Sequence, residues 1–437
     1  MGTKKTKLWE GDVMPIGGYY GPIASYTSEE YDGYMSKEFL EDKYFQMIRD
    51  CGVNLITTVD CDYEESPENL IKTMELCDRH QINIFVKDNG LKSEMSLEGM
   101  EERMRAYSEY QSFAGIRVVD EPEVEYFPMM DDGASVTLGR PLSKFQELAS
   151  KTSSFENLIG YVNLFPYYFW METTIEDYKR YVEEYCSTCQ PLKIISFDHY
   201  LFDYEERDRA CKTYFANMSV IREAAEKYNV PYWAFVQCGG QWHSAKKPSV
   251  PYFPLEGEFI WNVNTCLAMG AKGIQYFPLV QPHWFALTPD GIDPKRSGLI
   301  AADGSATPWY EYAKKANQQI AAVDEILMSA KHKGVIAIGK AVEHTEDVEC
   351  RIAGKSFHEL MDVKTQEAGA LIGCFDYQGK TALYVVNYDM HSEQEITLEL
   401  NELYTITKIS GGETAKLSTK QLTFTPQKGE AVLIVIE

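Results

Sequence analysis

Short apolar runs alternate with longer amphipathic segments between about residue 14 and residue 328. The runs are rich in β-branched and aromatic residues, as buried strands are, whereas the segments between them repeat their apolar positions at helical spacing. In segment 36–51, for example, apolar side chains occupy positions 39, 40, 44, 45, 47 and 48, with Ser36 as a candidate N-cap and Gly52 as a candidate C-terminal stop. The pattern predicts repeated strand–helix units.

Eight such units follow one another along the chain. The predicted strands are 14–21, 53–59, 82–87, 113–120, 159–165, 192–197, 231–237 and 273–277, and the predicted helices are 36–51, 67–80, 97–110, 141–158, 175–189, 205–228, 256–269 and 308–328. Eight parallel strands with helical crossovers predict an α/β fold, the (β/α)8 TIM barrel. A doubly wound open sheet is the competing fold, but segment 17–21 lacks the glycine spacing of a phosphate-binding turn.

From about residue 333 the pattern changes to short alternating runs that are separated by turn residues. The predicted strands are 334–338, 368–375, 381–387, 395–400, 405–409 and 430–436. This spacing predicts a small C-terminal antiparallel β-sandwich. We therefore expect two domains, a catalytic barrel over 1–332 and a sandwich over 333–437 that packs against it and carries no catalytic group of its own.

The charge of the chain excludes several classes of partner. The 437 residues carry a net charge of −24, with a pI near 4.8. Binding to nucleic acid or to an anionic membrane surface needs basic patches, so we expect neither partner. The substrate is expected to be neutral, or to be held by local groups. Nothing in the sequence sets the oligomeric state.

Targeting signals and metal motifs are not visible in the sequence. No stretch reaches the roughly 18 apolar residues of a membrane span, and the basic segment 1–7 is not followed by an apolar run, so we find no signal peptide. The ten cysteines mostly fall inside apolar segments, and the pair Cys186 and Cys189 lacks a second pair, so we predict no metal and no cofactor. We expect a cytoplasmic protein, or a secreted one if a leader has been removed.

The fourth predicted strand, 113–120, ends in Asp120, Glu121 and Pro122. Proline cannot donate to a sheet ladder, so the strand should stop before it and leave both acids at its carboxyl end. In a (β/α)8 barrel that end faces the active site. General acid catalysis needs a carboxyl that is held near the reacting group, and Glu121 is the candidate. The non-catalytic alternative for Glu121 is an exposed carboxylate at the strand end or one that caps a neighbouring helix.

Carboxylates, amides and aromatic rings follow the other predicted strands. Amides and acids can bind sugar hydroxyls, and aromatic rings can stack on sugar faces. Besides the catalytic candidates Glu121, Asp120 and Asp198, the predicted substrate-binding residues are Tyr19, Asp60, Lys87, Asn163, Tyr167, His199, Tyr200, Gln237, Trp242, Tyr276, His283 and Trp284. Together they predict a carbohydrate-binding cleft.

The end of strand four resembles the acid/base strand of the large retaining clan of (β/α)8-barrel glycosidases, whose motif there is Asn-Glu-Pro. The segment Trp261–Phe277, with Gly270-Ala-Lys-Gly-Ile274 between helix and strand, is similar to a passage of the β-galactosidase-like members. The helix that begins at Pro308 and the C-terminal sandwich are similar too. The resemblance implies a glycoside hydrolase that acts on an oligosaccharide or glycan, with Glu121 as general acid/base.

Two positions depart from that clan. The clan carries a nucleophilic glutamate at the end of strand seven, where this chain has Gln237, and Asp120 replaces the clan's asparagine. Three readings stay open. Asp198 is the second carboxylate; or Asp120 orients a substrate acetamido group that supplies the nucleophile, as in hexosaminidase-type barrels; or the protein is a non-catalytic carbohydrate-binding barrel. The sugar, the linkage and the stereochemical outcome stay undetermined.

Overall fold

The structure is a computed structural model that describes residues 8, 11–23, 38–128, 140–240, 252–282, 287–288, 291–292 and 295–437. For Val59, Asp60 and the residues within 287–292, only the backbone is described. Among all these residues, no helix is both long enough and apolar enough to cross a membrane.

Eight parallel strands close into a barrel, with each strand paired to its neighbours in sequence order and β1 paired to β8. The predicted (β/α)8 fold is confirmed. The strands are β1 Ile16–Tyr19, β2 Leu55–Asp62, β3 Asn83–Lys87, β4 Phe113–Asp120, β5 Ile159–Leu164, β6 Ile195–Phe197, β7 Tyr232–Gln237 and β8 Ile274–Phe277.

The outer helices match most of the predicted segments. They are α1 Asp42–Asp50, α2 Pro67–His80, α3 Leu97–Ser108, α4 Gln146–Ser154, α5 Ile175–Thr188, α6 Arg207–Tyr228, α7 Glu256–Ala268, α8 Pro308–Ala321 and α9 Asp324–Ser329. Three predictions need correction. The first helix begins only at Asp42, because Glu41 is extended; the segment 141–158 contains a 3-10 turn before α4; and the last segment breaks at Val323, which leaves the helical conformation.

Large aromatic side chains fill the inside of the barrel. Phe85 on β3 stacks on Tyr161 of β5 with ring centroids 4.8 Å apart, and on Trp233 of β7 at 6.1 Å. The interior is thus a packed core rather than a channel, and the mouth at the carboxyl ends of the strands has a closed floor. The whole interior cluster comprises Tyr19, Leu55, Phe85, Ala114, Ile159, Tyr161, Ile194, Tyr200, Trp233 and Phe235.

A β-bulge in β4 changes which side chains face the barrel interior. Arg117 pairs with Tyr161 of β5, but the next paired residue of β4 is Val119, which leaves Val118 as an extra residue. In a regular strand, side chains three residues apart lie on opposite faces. The bulge instead brings Arg117 and Asp120 to the same side, with Nη2 and Oδ2 4.0 Å apart.

The C-terminal part forms a seven-stranded antiparallel sheet in the order β11-β13-β14-β17-β15-β12, with β16 paired to β15. Alternate side chains of its central strands pack toward the barrel or into a second core. With the short pair β9 Leu287–Thr288 and β10 Gly291–Ile292 counted first, these strands are β11 Lys331–Gly339, β12 Leu360–Lys364, β13 Gly369–Tyr377, β14 Lys380–Asn387, β15 Ile396–Ser410, β16 Glu413–Phe424 and β17 Ala431–Ile436.

The predicted C-terminal antiparallel β-unit is confirmed, with differences in its parts. The predicted strands 395–400 and 405–409 are one long strand, β15, and β12, β16 and the short helix α10 Lys340–His344 were not predicted. The sheet contacts α7 through polar groups as well as apolar ones: Asn264 Nδ2 donates to the Gly429 carbonyl at 2.9 Å, and the Tyr384 hydroxyl donates to Asn264 Oδ1 at 2.7 Å. The domain boundary at residue 333 stays a prediction.

Candidate active site

Strand β4 ends in a left-handed residue, Glu121. Its φ angle is +46°, a conformation that few residues other than glycine adopt. The Glu121 N–H donates to the Asn163 carbonyl at 2.8 Å, and the Tyr181 hydroxyl donates to the Pro122 carbonyl. Strain of this kind persists only where the surroundings enforce it. The turn directs the Glu121 carboxyl to Asp198, which follows β6.

Glu121 and Asp198 form a hydrogen-bonded pair of carboxyl groups. A hydrogen bond between two carboxyls requires one shared proton. Asp198 accepts a further hydrogen bond from Asn163 Nδ2 at 2.9 Å, and the Tyr200 hydroxyl also lowers the pKa of Asp198. Because these donors stabilise a negative charge on Asp198, the shared proton resides on Glu121.

The electrostatic environment favours the protonated form of Glu121. Burial raises the pKa of Glu121 well above its usual value, and the charges of Asp198 and Asp120 raise it further, against an opposite effect of Arg140. Burial and the charge of Asp120 raise the pKa of Asp198 to about 7, although its hydrogen bonds act in the other direction. Glu121 is therefore a carboxylic acid that can donate a proton at neutral pH.

A buried chain of hydrogen bonds fixes the orientation of the Asn163 amide. Gln275 Nε2 on β8 donates to the Tyr161 hydroxyl at 2.8 Å and to Ser196 Oγ at 2.9 Å. Ser196 Oγ in turn donates to Asn163 Oδ1 at 3.0 Å. Since its oxygen is occupied, Asn163 must present Nδ2 to Asp198. Residues on β5, β6 and β8 thus hold the donor that stabilises this carboxylate.

Asp120 is the more exposed carboxylate of the site, with 21 % of its side chain in contact with solvent. Asn163 Nδ2 lies 3.4 Å from its Oδ1, and Arg117 Nη2 lies 4.0 Å from its Oδ2. Arg117 Nε also donates to the Tyr19 hydroxyl at 2.9 Å, and Arg140 Nη1 donates to the Asp120 carbonyl at 3.1 Å. The Asp120 carboxylate therefore lies beside the Arg117 guanidinium, and the Arg140 guanidinium fixes the Asp120 backbone.

The structure brings several of the predicted residues together on one side of the mouth. The residues that meet there are Glu121, Asp120, Asp198, Asn163, Tyr200 and Tyr19. They come from β1, β4, β5 and the segment after β6. Two acids, an amide and two hydroxyls around a protonated carboxyl can bind hydroxyl groups and transfer a proton.

Gln237, at the end of β7, is buried and makes its hydrogen bonds to other groups of the protein. It is 1 % exposed. Its Nε2 donates to Asp203 Oδ1 at 2.9 Å and to the Gly239 carbonyl at 3.1 Å, and its Oε1 accepts from the Phe202 N–H at 3.3 Å. The amide thus ties the segments after β6 and β7 together, and its hydrogen-bonding groups are occupied by protein.

Three other predicted residues make no hydrogen bond to the acids of the mouth within the described part of the chain. Tyr276 faces outward from β8, where its hydroxyl donates to Asn317 of α8 at 2.6 Å. The His199 ring lies between the Tyr168 ring, at 4.6 Å, and the Tyr214 ring of α6, at 5.8 Å, and burial lowers the pKa of His199 to about 3. Tyr167 lines a groove between α5 and α6. Alternation along the chain explains the orientation of Tyr276 and His199, because the residues before and after each of them face the barrel interior.

The remaining predicted residues divide into one that is placed and four that are not. Lys87 Nζ, at the end of β3, lies 3.5 Å from Asp62 Oδ2, and 20 % of the Lys87 side chain is exposed. The Asp60 side chain, Trp242, His283 and Trp284 lie outside the described residues. Their assignment to the substrate-binding set stays a prediction.

Two arginines near the acids, Arg117 and Arg140, were not predicted from the sequence. The hydroxyl of Tyr168, which follows β5, accepts from the Tyr200 N–H at 3.5 Å, and burial and the charges of Tyr204, Asp198 and Glu121 raise its pKa. Arg140 is distant from β4 in sequence, and no local sequence pattern predicts that it lies near Asp120. Arg117 could have been found only by recognising the bulge, since regular alternation assigns it to the face opposite Asp120.

Metal ligation has no support in the part of the chain that the structure describes, where no group of three or more His, Cys, Asp and Glu side chains could hold an ion. No protein-family model matches the chain, and no curated protein matches it.

Solved structures do match the chain. A glycoside hydrolase family 5 protein from Bacteroides vulgatus aligns over 97% of this chain and 89% of its own, with a TM-score of 0.54 and 10% identity. A catalytic mutant of a family 42 β-galactosidase from G. stearothermophilus aligns over 99% of both chains, with a TM-score of 0.50 and 9% identity. At such low identity the similarity concerns the fold, and the expected fold of a barrel glycosidase is confirmed.

Proposed function

We propose that this protein is a glycoside hydrolase in which Glu121 donates a proton to the glycosidic oxygen. The observation that carries the proposal is the hydrogen-bonded pair of Glu121 and Asp198, which keeps a buried carboxylic acid protonated at neutral pH. A general acid of this kind is what departure of a sugar alkoxide requires. The similarity of the fold to that of barrel glycosidases supports the same reaction class.

The second catalytic group follows from how close the pair is. The catalytic carboxyls of glycosidases are about 5–5.5 Å apart for retention and about 6.5–9.5 Å apart for inversion, because an anomeric carbon or a water lies between them. The carboxyls of Glu121 and Asp198 interact directly and shift each other's pKa, which favours a separation shorter than either of these. Asp198 is therefore the positioning residue that holds and orients the acid.

Asp120 remains as the carboxylate that supports the transition state. It lies beside Arg117 and is more exposed to the mouth than Asp198. We propose that it acts either on the anomeric centre or on a 2-acetamido group of the substrate that supplies the nucleophile. Both routes use the negative charge of Asp120 against the positive charge that develops on the sugar.

A panel of 4-nitrophenyl glycosides, with and without a 2-acetamido group, tests the proposal. Cleavage confined to acetamido sugars assigns Asp120 to substrate assistance, and cleavage of the sugars without that group assigns it a direct role. If Glu121→Gln retains full activity on a cleaved substrate, Glu121 is not the acid. If no glycoside is cleaved while sugars raise the melting temperature, the protein is a carbohydrate-binding barrel.

A further inference from the structure

We propose that the mouth of the barrel accepts an acidic sugar, and that Arg117 binds its carboxylate. The inference rests on the proposed function, because it names the class of glycoside for the same site. It follows from the position of one guanidinium, from the acceptors around it and from the charge of its surroundings.

Arg117 lies inside the barrel, next to Asp120 and Tyr19. The bulge in β4 turns its side chain inward, and Nε donates to the hydroxyl of Tyr19 on β1, so side chains of two non-adjacent strands meet inside the barrel. The guanidinium carbon lies 5.7 Å from the centre of the Tyr19 ring. A sugar that enters the mouth between Asp120 and Tyr19 must therefore meet this group.

Most of the donors of Arg117 have no protein acceptor. Within the described residues, Nε is its one hydrogen-bonding nitrogen, and Nη2 approaches Asp120 only to 4.0 Å, which is beyond hydrogen-bonding distance. The side chain is 12 % exposed, and its terminal nitrogens are absent from the set of fully buried polar atoms that lack a partner, so they retain some contact with solvent. Arg222, at the opposite end of the barrel, is also 12 % exposed, but it bonds His332 and Glu226.

A guanidinium that is largely removed from water needs acceptors for its N–H groups, and the protein leaves those of Arg117 available. A carboxylate supplies two oxygens in the geometry that matches the guanidinium fork. The negative charge of Asp120 lowers the free-energy cost of burying the Arg117 guanidinium, but Asp120 accepts no hydrogen bond from its N–H groups. A carboxylate of the bound sugar completes the set.

Local charge makes an acidic ligand acceptable in a chain that repels anions as a whole. The chain carries −24, so a uronate gains nothing from long-range attraction. Near the acids, however, Asp120 and the singly charged pair of Glu121 and Asp198 are balanced by Arg117 and Arg140. The site is thus locally neutral, and Arg117 is its cation at the floor.

Binding and cleavage are measured separately to test this inference. Glu121→Gln, which mimics the protonated acid, is titrated calorimetrically with glucuronate and glucose, and with galacturonate and galactose. We expect a uronate to bind at least about tenfold more tightly than its neutral counterpart, as a charged hydrogen-bonded pair does. In Glu121→Gln with Arg117→Lys, which keeps the charge and loses the fork, we expect this preference to fall to about twofold.

Arg222→Lys in the same background is the matched control for the loss of a buried guanidinium, and the melting temperature of each variant reports its folding. Equal affinity for acid and neutral sugars overturns the inference, and so does a preference that survives Arg117→Lys in a folded protein. Wild-type hydrolysis of 4-nitrophenyl uronides and neutral glycosides separates the two proposals. Binding of uronates without cleavage of any glycoside contradicts the proposed function alone, and cleavage of neutral glycosides alone contradicts this inference.

Discussion

The two halves of the barrel mouth are built from similar residues and do different things. After β4, β5 and β6, the polar side chains of Asp120, Asn163 and Asp198 contact one another and hold a proton on Glu121. After β7, the amide of Gln237 is as buried as Asn163 and Asp198, yet its donors and its acceptor bind the protein backbone and Asp203. Within the described residues, the polar side chains after β4, β5 and β6 surround Glu121, whereas the Gln237 side chain after β7 holds neighbouring backbone in place.

The difference teaches that a strand-end position does not by itself make a residue catalytic. In the glycosidase clan that the sequence resembles, the end of β7 carries the nucleophile. Here the carboxylates concentrate on β4 and after β6, and the hydrogen-bond acceptor of the β7 side chain faces a backbone N–H instead of the mouth. The experiments below change one half at a time.

The largest effect is expected from Glu121→Gln. The amide is close in shape to the protonated acid but cannot donate the proton that the leaving group needs. We expect kcat on an unactivated glycoside to fall about a thousandfold. The melting temperature should change little, because the buried carboxyl of Glu121 is already uncharged. A folded variant with wild-type kcat would exclude Glu121 as the acid.

Asp198→Asn should have the next largest effect. Asparagine preserves the shape but offers no charge to hold the proton of Glu121 in place, so the acid is misaligned. We expect kcat to fall about a hundredfold. We also expect the pH at which the rate declines on the alkaline side to shift, because in the wild type the loss of the Glu121 proton depends on the charge of Asp198. An unchanged pH–rate profile would show that Asp198 does not act on Glu121.

The same pair makes stability depend on pH. Burial raises the pKa of Asp198 to about 7, so between roughly pH 4 and pH 7 the folded state binds more protons than the unfolded state. The stabilisation is therefore present below pH 4 and is lost as pH rises through 7. The slope of melting temperature against pH over this interval should be shallower in Asp198→Asn than in the wild type. Equal slopes contradict the raised pKa.

Gln237→Glu is expected to change stability and not chemistry. The new carboxylate would face Asp203 Oδ1 at 2.9 Å and the Gly239 carbonyl at 3.1 Å, where the wild type has a donor. We expect a loss of about 1–3 kcal/mol in the free energy of unfolding, measured by denaturant titration, and no gain in activity. Gln237→Glu with Asp203→Asn, which restores a donor, should recover part of that loss. A gain in kcat would assign catalysis to β7.

The fold could be predicted from the sequence because the spacing of apolar residues over a whole helix or strand is still visible where single positions deviate. The segments 67–80 and 113–120 were predicted at their observed limits, since apolar spacing and the prolines Pro67 and Pro122 mark them. Strands β12 and β16 were missed because their outward side chains are polar and little apolar alternation remains. Their pairing with β15 arises from contacts distant in sequence.

The site was accessible only in part. Asp120, Glu121 and Asp198 could be inferred from strand ends, and applying alternation strictly would have removed His199 and Tyr276 from the set. The left-handed conformation of Glu121 and the bulge before it could not be inferred, because both depend on pairing with β5. The role of Gln237 depended in the same way on a contact distant in sequence.

Leaving-group dependence of the Glu121→Gln variant tests the assignment of the general acid most directly. Wild type and variant are compared on a methyl glycoside, whose departure needs a proton, and on a 2,4-dinitrophenyl glycoside of the same sugar, whose departure does not. We predict that the variant loses about a thousandfold in kcat on the methyl glycoside and less than about tenfold on the dinitrophenyl glycoside. An equal loss on both substrates would contradict the assignment of Glu121 as the proton donor.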